Sequence, residues 1–256
     1  PVARAAVRYT LRRIVEGKHP EQGHFEPHPG IRRNGKVFPP NQRRLVKKLG
    51  ILGAGMMGAG LAYSLAYSGV EVVLIDRDIE SAERGKGYSE GLLKKRVKRG
   101  RMTEEAANEV LARITPTTDY GQLEGAQMVI EAVFENEELK AKITKQAEEV
   151  LGEDAVFGSN TSTLPITGLA KASKRPENFI GIHFFSPVDK MMLVEVIMGK
   201  KTSDRALAMA LDYIKAIRKT PIVVNDSRGF YTSRVVMTYI REGLMMLADG
   251  VPAAMI

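Results

Sequence analysis

Two spacings of apolar residues alternate along most of the chain. From residue 47 onward, short continuous apolar runs are followed by longer segments in which apolar positions recur every three or four residues. The first pattern is typical of buried strands and the second of amphipathic helices. The predicted strands are KKLGIL, VEVVLI, QMVIEAVFE, AVFGSN, IGIHFF, MMLVEVIM and TPIVVND. Because strands and helices alternate, we predict an α/β fold with a doubly wound, mostly parallel sheet over residues 47–225.

The first 46 residues follow a different pattern. Arg4, Arg8 and Arg12 recur at helical spacing, and a Pro/Gly-rich segment follows them. An Arg-rich amphipathic start is also found in transit peptides, but here the chain opens on Pro1 and a long linker follows. We therefore interpret residues 1–46 as a linker from an upstream module. Its histidines lack the supporting partners of a metal site, so we expect no metal there.

The positive charge belongs to this linker. Of the net charge of +8, residues 1–46 contribute +7 (ten Lys/Arg minus three Asp/Glu) and the remainder +1 (28 minus 27). A nucleic-acid surface on the main domain is therefore not expected. The absence of cysteine excludes disulfides and thiolate chemistry and fits a reducing compartment. No uninterrupted apolar run is long enough to predict a transmembrane helix.

A glycine-rich turn joins the first predicted strand to the first helix. Gly53, Gly55 and Gly58 form a G-x-G-x-x-G motif, and Asp76 ends the next strand. In this context the glycines permit a tight turn, close approach of a pyrophosphate, and close packing of helix on strand. Asp76 is suited to bind ribose hydroxyls and to repel a 2′-phosphate, which favours NAD over NADP, whereas the adjacent Arg77 favours the opposite. A glycine turn without a ligand is the structural alternative.

Polar residues gather where other predicted strands end. Glu135 closes QMVIEAVFE, and Asn160 and Ser162 follow AVFGSN. Ligands of doubly wound sheets bind at the carboxyl ends of strands, so these residues are candidates for the site. A charged helix predicted over residues 79–99 ends in KKRVKRGR, which contains Lys98. This basic run is either a solvated face or a contact for a phosphate-bearing ligand tail.

One histidine lies in an otherwise apolar stretch, GIHFFSPVDKMMLVEVI. A hairpin centred on Asp189 makes His183 and Glu195 direct cross-strand neighbours, since both lie six residues from its centre. A slip of one residue would send them to opposite faces. Dehydrogenation of an alcohol needs a base, and a carboxylate on the far nitrogen fixes the tautomer and stabilises the imidazolium. We interpret the pair as a catalytic dyad; a buried structural histidine is the alternative.

Six motifs in order resemble the NAD-dependent L-3-hydroxyacyl-CoA dehydrogenases, most closely the dehydrogenase part of multifunctional fatty-acid β-oxidation α subunits. They are GAGMMGAG with Asp76, IEAVFEN, SNTSTLPI, GIHFFSPV, LVEVI, and KTPIVVND followed by GF. The resemblance spans residues 47–256. It implies a Rossmann-type domain followed by an all-helical C-terminal domain, of which residues 226–256 are the beginning. It also implies that residues 1–46 link to an upstream enoyl-CoA hydratase domain.

The resemblance further implies a reaction and its residues. The reaction is oxidation of a (3S)-3-hydroxyacyl-CoA to the 3-ketoacyl-CoA with NAD as cofactor; His183 matches the catalytic base, Glu195 its partner, and Ser162 a serine that contacts substrate and cofactor. The implied cofactor-binding residues are Gly53, Gly55, Met57, Gly58, Asp76, Val133, Phe134, Glu135, Lys140, Asn160, Ser162 and Ser186. The expected substrate contacts are Ser162, Ser233 and Lys98. The expected assembly is a homo-oligomer or a complex with a thiolase subunit, in the cytoplasm of a bacterium or otherwise in an organelle matrix.

Two positions depart from the family pattern. Ser186 and Ser233 stand where the family commonly has asparagine, which shortens the reach of both side chains. Two other functions therefore stay open at this point. One is a different β-hydroxyacid or nucleotide-sugar dehydrogenase, although the absence of cysteine weighs against the nucleotide-sugar type. The other is a non-catalytic NAD-binding or structural protein on the same fold.

Overall fold

The computed structural model describes residues 46–256 and the backbone of two short strands, Arg32–Arg33 (β1) and Lys36–Val37 (β2). These two strands pair in antiparallel fashion. They belong to one compact unit, Pro1–Pro39, and the remaining chain, Pro40–Ile256, forms a second unit. The helix predicted at the start of the linker lies outside the described residues.

Eight strands form the sheet of the second unit. They are β3 (Lys48–Leu52), β4 (Glu71–Ile75), β5 (Ile114–Thr117), β6 (Met128–Glu131), β7 (Val156–Ser159), β8 (Phe179–Phe184), β9 (Leu193–Met198) and β10 (Thr220–Asn225). Their order across the sheet is β10-β9-β8-β7-β6-β3-β4-β5. All neighbours are parallel except β8 and β9, which are antiparallel, so β9 and β10 run opposite to the other six. The predicted doubly wound, mostly parallel sheet is confirmed.

The described helices occupy the segments predicted to be amphipathic, with one short addition. They are α1 (Met56–Tyr67), α2 (Ile79–Lys98), α3 (Glu104–Ala112), α4 (Glu137–Glu148), α5 (Ile166–Leu169), α6 (Asp204–Ala216) and α7 (Thr232–Ala248). Several begin at a capping side chain: Asp78 accepts from the Ser81 N–H, Asn136 from Leu139, and Ser203 from Ala206. Within residues 46–256 no helix combines the length and apolar character needed to span a bilayer.

The core follows from the continuous apolar runs. Every residue of β6, β7 and β8 is buried, as expected for strands covered on both faces. Helix α7 differs, because none of its residues is buried. Its apolar side chains are exposed, for example Tyr239 at 79% and Met237 at 62%. This surface lies at the start of the region expected to open a helical domain.

Two strands differ from the prediction, one because it was missed and one in its bounds. Strand β5 was not expected, because Pro116 and two threonines interrupt its apolar pattern; the strand lies at the sheet edge, where a missing N–H donor is tolerated. Strand β6 ends at Glu131 instead of Glu135. The apolar residues after it leave the core, since Phe134 is 80% exposed. Glu135 therefore lies in the loop before α4.

Candidate active site

The glycine turn has the geometry that its motif predicts. Gly53 has a φ of +98°, which favours glycine. A Cβ on Gly58 would lie 1.7 Å from the Gly53 carbonyl oxygen, so only glycine lets α1 pack this closely on the turn. A Cβ on Gly55 would meet nothing within 4 Å, and no side chain caps α1 there. The turn thus leaves an open cradle at a helix N-terminus, which fits a pyrophosphate.

Asp76 faces this cradle from the end of β4. Its Oδ2 accepts a hydrogen bond from the Ala54 N–H at 2.6 Å, and its Oδ1 accepts from the Arg77 N–H at 2.7 Å. The exposed Arg77 side chain lines the cleft that adjoins this cradle, and its Nε donates to Asp78 Oδ2 at 3.1 Å. Asp76 retains the carboxylate lone pairs suited to ribose hydroxyls.

The cradle opens into a cleft of about 980 Å³ at the carboxyl ends of the strands. Five of the residues expected to bind the cofactor line it: Gly53, Gly55, Asp76, Val133 and Phe134. Sequence reasoning missed other lining residues, which include Met56, Thr118, Tyr120, Lys142 and Gln146. Thr118 and Tyr120 follow β5, so recognising that strand would have placed them at the ligand-binding edge of the sheet. The other expected cofactor contacts do not line the cleft: Met57, Gly58, Glu135, Lys140, Asn160, Ser162 and Ser186. Lys98 does not line it either and is exposed at the end of α2.

Lys140 is buried in an ion pair. Its Nζ lies 2.9 Å from each carboxylate oxygen of Glu131 and 3.2 Å from Glu135 Oε2, and its side chain is 2% exposed. Ser159 also donates a hydrogen bond to Glu131. The structure therefore places Lys140 behind the binding edge, between the end of β6 and α4. Glu131, which lies in the IEAVFEN motif but was assigned no role, is its main partner.

Glu135 organises the turn after β7. Its Oε1 accepts from the Thr161 hydroxyl at 2.5 Å and from the Ser162 N–H at 2.9 Å. Burial raises the pKa of Glu135, but hydrogen bonds from Thr161 and the charge of Lys140 outweigh it and hold the pKa below its usual range. Glu135 is thus an anion that fixes Ser162. This role was not predicted, although the candidate residue was.

The His183–Glu195 pairing has the predicted register. The two residues are direct partners across β8 and β9, and His183 Nδ1 lies 2.8 Å from Glu195 Oε2. The His183 side chain is 7% exposed and that of Glu195 is fully buried. Among the described residues, no hydrogen bond is made by His183 Nε2. The ring therefore presents one nitrogen to a ligand while the other is held by a carboxylate.

Glu195 has further donors that sequence reasoning missed. Its Oε1 accepts from the N–H groups of Tyr231 at 3.1 Å and Thr232 at 2.8 Å, and its Oε2 accepts from the Thr232 hydroxyl at 2.7 Å. Burial raises the pKa of Glu195, but the hydrogen bonds from His183 and Thr232 more than offset this and lower the pKa from its usual value. Glu195 is therefore ionised near neutral pH.

The remaining predicted residues make polar contacts with neighbouring segments. Ser233 Oγ donates to the Ser162 carbonyl at 3.4 Å, which brings these two serines together. Asn160 Oδ1 accepts from the Phe184 N–H at 2.8 Å and so braces β8. Ser186 Oγ lies 3.6 Å from Met56 Sδ, next to the cradle. The structure thus brings Ser162 and Ser233 to one side of the site, and Ser186 to the cradle.

Apolar and cationic side chains complete the surroundings. The rings of Phe185 and Phe230 lie 4.5 Å and 6.0 Å from the His183 ring, centroid to centroid. Lys219 donates to the carbonyls of Val188 at 2.5 Å and Met191 at 2.7 Å, which holds the loop between β8 and β9. Burial lowers the pKa of Lys219. Among residues 46–256, no cluster of three or more His, Asp or Glu side chains is arranged to hold a metal.

The fold and the glycine cradle define a dinucleotide-binding protein of the Rossmann type. Residues 48–227 match the family described as 3-hydroxyacyl-CoA dehydrogenase, NAD binding domain. The chain is 44% identical over 207 residues to the fatty acid oxidation complex subunit alpha of Colwellia psychrerythraea. That match covers 81% of this chain and 29% of the relative. The chain belongs to the 3-hydroxyacyl-CoA dehydrogenase family, and NAD is the cofactor of the matched domain.

Solved structures agree with this assignment. The crystal structure of (S)-3-hydroxybutyryl-CoA dehydrogenase from Ralstonia eutropha is 39% identical with a TM-score of 0.78, covering 81% of this chain and 73% of that one. The 3-hydroxybutyryl-CoA dehydrogenase of Escherichia coli K12 is 34% identical with a TM-score of 0.78, covering 81% of this chain and 44% of that one. The chain spans less than a third of the length of the curated Colwellia relative.

Proposed function

We propose that the protein oxidises a (3S)-3-hydroxyacyl-CoA to the 3-ketoacyl-CoA with NAD, with His183 as general base oriented by Glu195. The observation that carries this proposal is the 2.8 Å contact between a buried histidine and a buried carboxylate on the sheet that holds the cradle. Family membership supplies the substrate class. The names of the solved neighbours specify a CoA thioester as substrate. We propose the same substrate class for this chain.

Each residue of the dyad has a defined task in this reaction. The Nε2 of His183 takes the proton from the substrate 3-hydroxyl, and Glu195 stabilises the imidazolium through Nδ1. When bound, NAD⁺ would accept the hydride that leaves C3, the carbon that carries this hydroxyl. The buried walls around His183 exclude water, which strengthens the attraction between imidazolium and carboxylate. In the reverse direction His183 returns the proton to the ketone oxygen.

Ser162 and Ser233 are proposed to hold the substrate oxygen. Ser233 Oγ donates to the Ser162 backbone carbonyl at 3.4 Å, so the two residues are neighbours. To hold the substrate oxygen, the Ser233 hydroxyl would exchange this carbonyl for the substrate, since a serine donates one hydrogen bond where an asparagine amide donates two. Glu135 supports this arrangement because it fixes the Ser162 N–H at 2.9 Å.

Loss of the base tests the proposal. The full-length protein should oxidise NADH when given acetoacetyl-CoA, followed by absorbance at 340 nm. His183→Ala should lower kcat by at least about a hundredfold, the usual scale for loss of a general base. His28→Ala, in the linker, serves as the matched histidine control and should keep the wild-type rate. An unchanged rate in His183→Ala would sink the assignment of the dyad.

Cofactor choice provides a second test. Because the Asp76 carboxylate faces the cradle and would repel a 2′-phosphate, NADH should be used in strong preference to NADPH. Asp76→Ala should narrow this preference, since the repulsion of the 2′-phosphate is removed. The ratio of kcat/KM for the two cofactors measures it. Equal use of NADPH by the wild type would contradict the proposed role of Asp76.

The proposed assembly is based on the similarity of this chain to the Colwellia relative. The Colwellia relative is named as the alpha subunit of a fatty acid oxidation complex. We propose that this protein likewise works in such a complex, with a thiolase as the partner that consumes 3-ketoacyl-CoA, and that residues 226–256 begin a helical domain. An upstream hydratase domain and a cytoplasmic location belong to the same proposal. Co-purification with thiolase activity from the native source tests the assembly.

A further inference from the structure

A threonine hydroxyl contacts the carboxylate of the dyad. Thr232 is the first residue of α7, and its Oγ1 donates to Glu195 Oε2 at 2.7 Å. His183 Nδ1 lies 2.8 Å from the same oxygen. Two donors therefore share one carboxylate oxygen. The motifs assigned no role to Thr232, which lies between the motif residue Phe230 and Ser233.

Thr232 contacts Glu195 through both its backbone N–H and its side-chain hydroxyl. The backbone N–H of Thr232 donates to Glu195 Oε1 at 2.8 Å while its hydroxyl donates to Oε2 at 2.7 Å. Glu195 is fully buried, so water has no access to replace either bond. A hydrogen bond to a buried charged group is stronger than a neutral one and takes negative charge from the oxygen that it reaches. The hydroxyl consequently competes with His183 for the charge on Oε2.

We propose that Thr232 is a positioning residue whose hydroxyl sets how strongly Glu195 holds the imidazolium form of His183. The inference rests on the proposed function for its effect on turnover, but not for its effect on the imidazole itself. With the hydroxyl present, His183 shares Oε2 of Glu195 with a second donor. Without it, His183 is the remaining donor to Oε2, while the N–H groups of Tyr231 and Thr232 still bind Oε1. Thr232 thereby weakens the hold of Glu195 on the protonated base and favours its return to the neutral form.

Few other charges lie next to this pair. Strands β7, β8, β9 and β10 carry no charged side chain apart from His183 and Glu195, and α5 carries none. The charged residues on the adjoining segments are Asp189 and Lys190 after β8, Lys200 and Lys201 after β9, Arg218 and Lys219 before β10, Asp226, Arg228 and Arg234 around the start of α7, and Asp204, Arg205, Asp212 and Lys215 on α6. Asp226 is engaged elsewhere, since it accepts from the N–H groups of Ile166 and Thr167 at 2.8 Å. The Thr232 hydroxyl is thus the polar side chain best placed to modulate Glu195.

The experiment follows the ring of His183 directly. The full chain is labelled at histidine ring nitrogens, the His183 signal is assigned by its loss in His183→Ala, and its chemical shift is titrated with pH. Thr232→Val keeps the shape and removes the hydroxyl; Thr232→Ser restores it. The matched control is Thr238→Val, because Thr238 on the same helix donates only to the Arg234 carbonyl at 2.9 Å.

We expect the titration midpoint of the His183 signal in Thr232→Val to lie above that of the wild type, because Glu195 loses one charge-assisted donor. In Thr232→Ser and Thr238→Val, the His183 signal should have the same titration midpoint as in the wild type. A midpoint in Thr232→Val at or below that of the wild type would overturn the inference, as would failure of Thr232→Ser to restore it. If Thr232→Val does not fold, Thr232→Ala removes the same hydroxyl and is judged by the same outcomes.

Turnover gives the second measurement. If the proposed function holds, the acidic limb of kcat against pH for hydroxyacyl-CoA oxidation should move upward in Thr232→Val in step with the titration. A residue that only supports the fold would lower kcat or stability without moving this limb. If the wild type shows no dehydrogenase activity, the proposed function fails while the ring titration still decides the role of Thr232.

Discussion

Two buried pairs of a carboxylate and a basic side chain lie on the same sheet, and they differ in what they leave unbonded. Lys140 directs its ammonium to both oxygens of Glu131 at 2.9 Å and to Glu135 at 3.2 Å, so its donors are used within the protein. His183 uses one ring nitrogen on Glu195 at 2.8 Å, and its other nitrogen has no partner among the described residues. Burial of a charge pair alone therefore does not distinguish catalysis from structure. In the proposed function, it is the unbonded nitrogen of His183 that receives the proton.

Removal of the lysine should give the largest change in stability. Lys140→Met leaves Glu131 buried without its cation, and breaking a buried pair in this way typically costs about 3–5 kcal/mol. Urea unfolding at pH 7 measures the loss. Lys145→Met, on the exposed face of the same helix, is the control and should stay close to the wild type. If both variants unfolded at the same urea concentration, the ion pair would not hold β6 and α4 together.

Removal of the histidine should affect stability less. In His183→Gln, Glu195 keeps the N–H groups of Tyr231 and Thr232 and the Thr232 hydroxyl, so one of several hydrogen bonds is lost. We expect a decrease in the free energy of unfolding of about 1 kcal/mol. The same urea experiment measures it. A loss as large as that of Lys140→Met would mean that His183 is primarily a structural residue.

The smallest expected effect is on how the free energy of unfolding depends on acidic pH. The lowered pKa of Glu135 means that its ionised form stabilises the fold above the unfolded value of 4.5, and that this contribution disappears as pH falls through the lower folded value. The difference in unfolding free energy between wild type and Glu135→Gln should therefore be largest at neutral pH and shrink below pH 4.5. Urea titrations over this range follow it. A constant difference would show that ionisation of Glu135 is irrelevant.

Features governed by near neighbours in sequence were predictable. The roles of Gly53, Gly55 and Gly58 depend on a strand–turn–helix unit that one motif encodes, and the cradle has the expected shape. The partnership of His183 with Glu195 was also predictable, because a hairpin pairs residues equidistant from its centre. Both inferences needed only local geometry.

Contacts between distant elements were not predictable. Lys140 reaches Glu131 only because α4 folds back along β6, and spacing along the chain does not reveal that path. The donors from Tyr231 and Thr232 arrive from a helix 36 and 37 residues away. Strand β5 was missed because Pro116 breaks its pattern, and the cleft residues Thr118 and Tyr120 were missed with it.

Glu195 also caps the N-terminus of α7. The N–H groups at the start of a helix are usually capped by a side chain from the segment directly before the helix. Glu195 accepts from the N–H groups of Tyr231 and Thr232 although it belongs to β9. The orientation of the base and the seating of this helix are therefore mechanically coupled. A displacement of α7 would stretch these bonds and change the contact between the Glu195 carboxylate and the His183 ring.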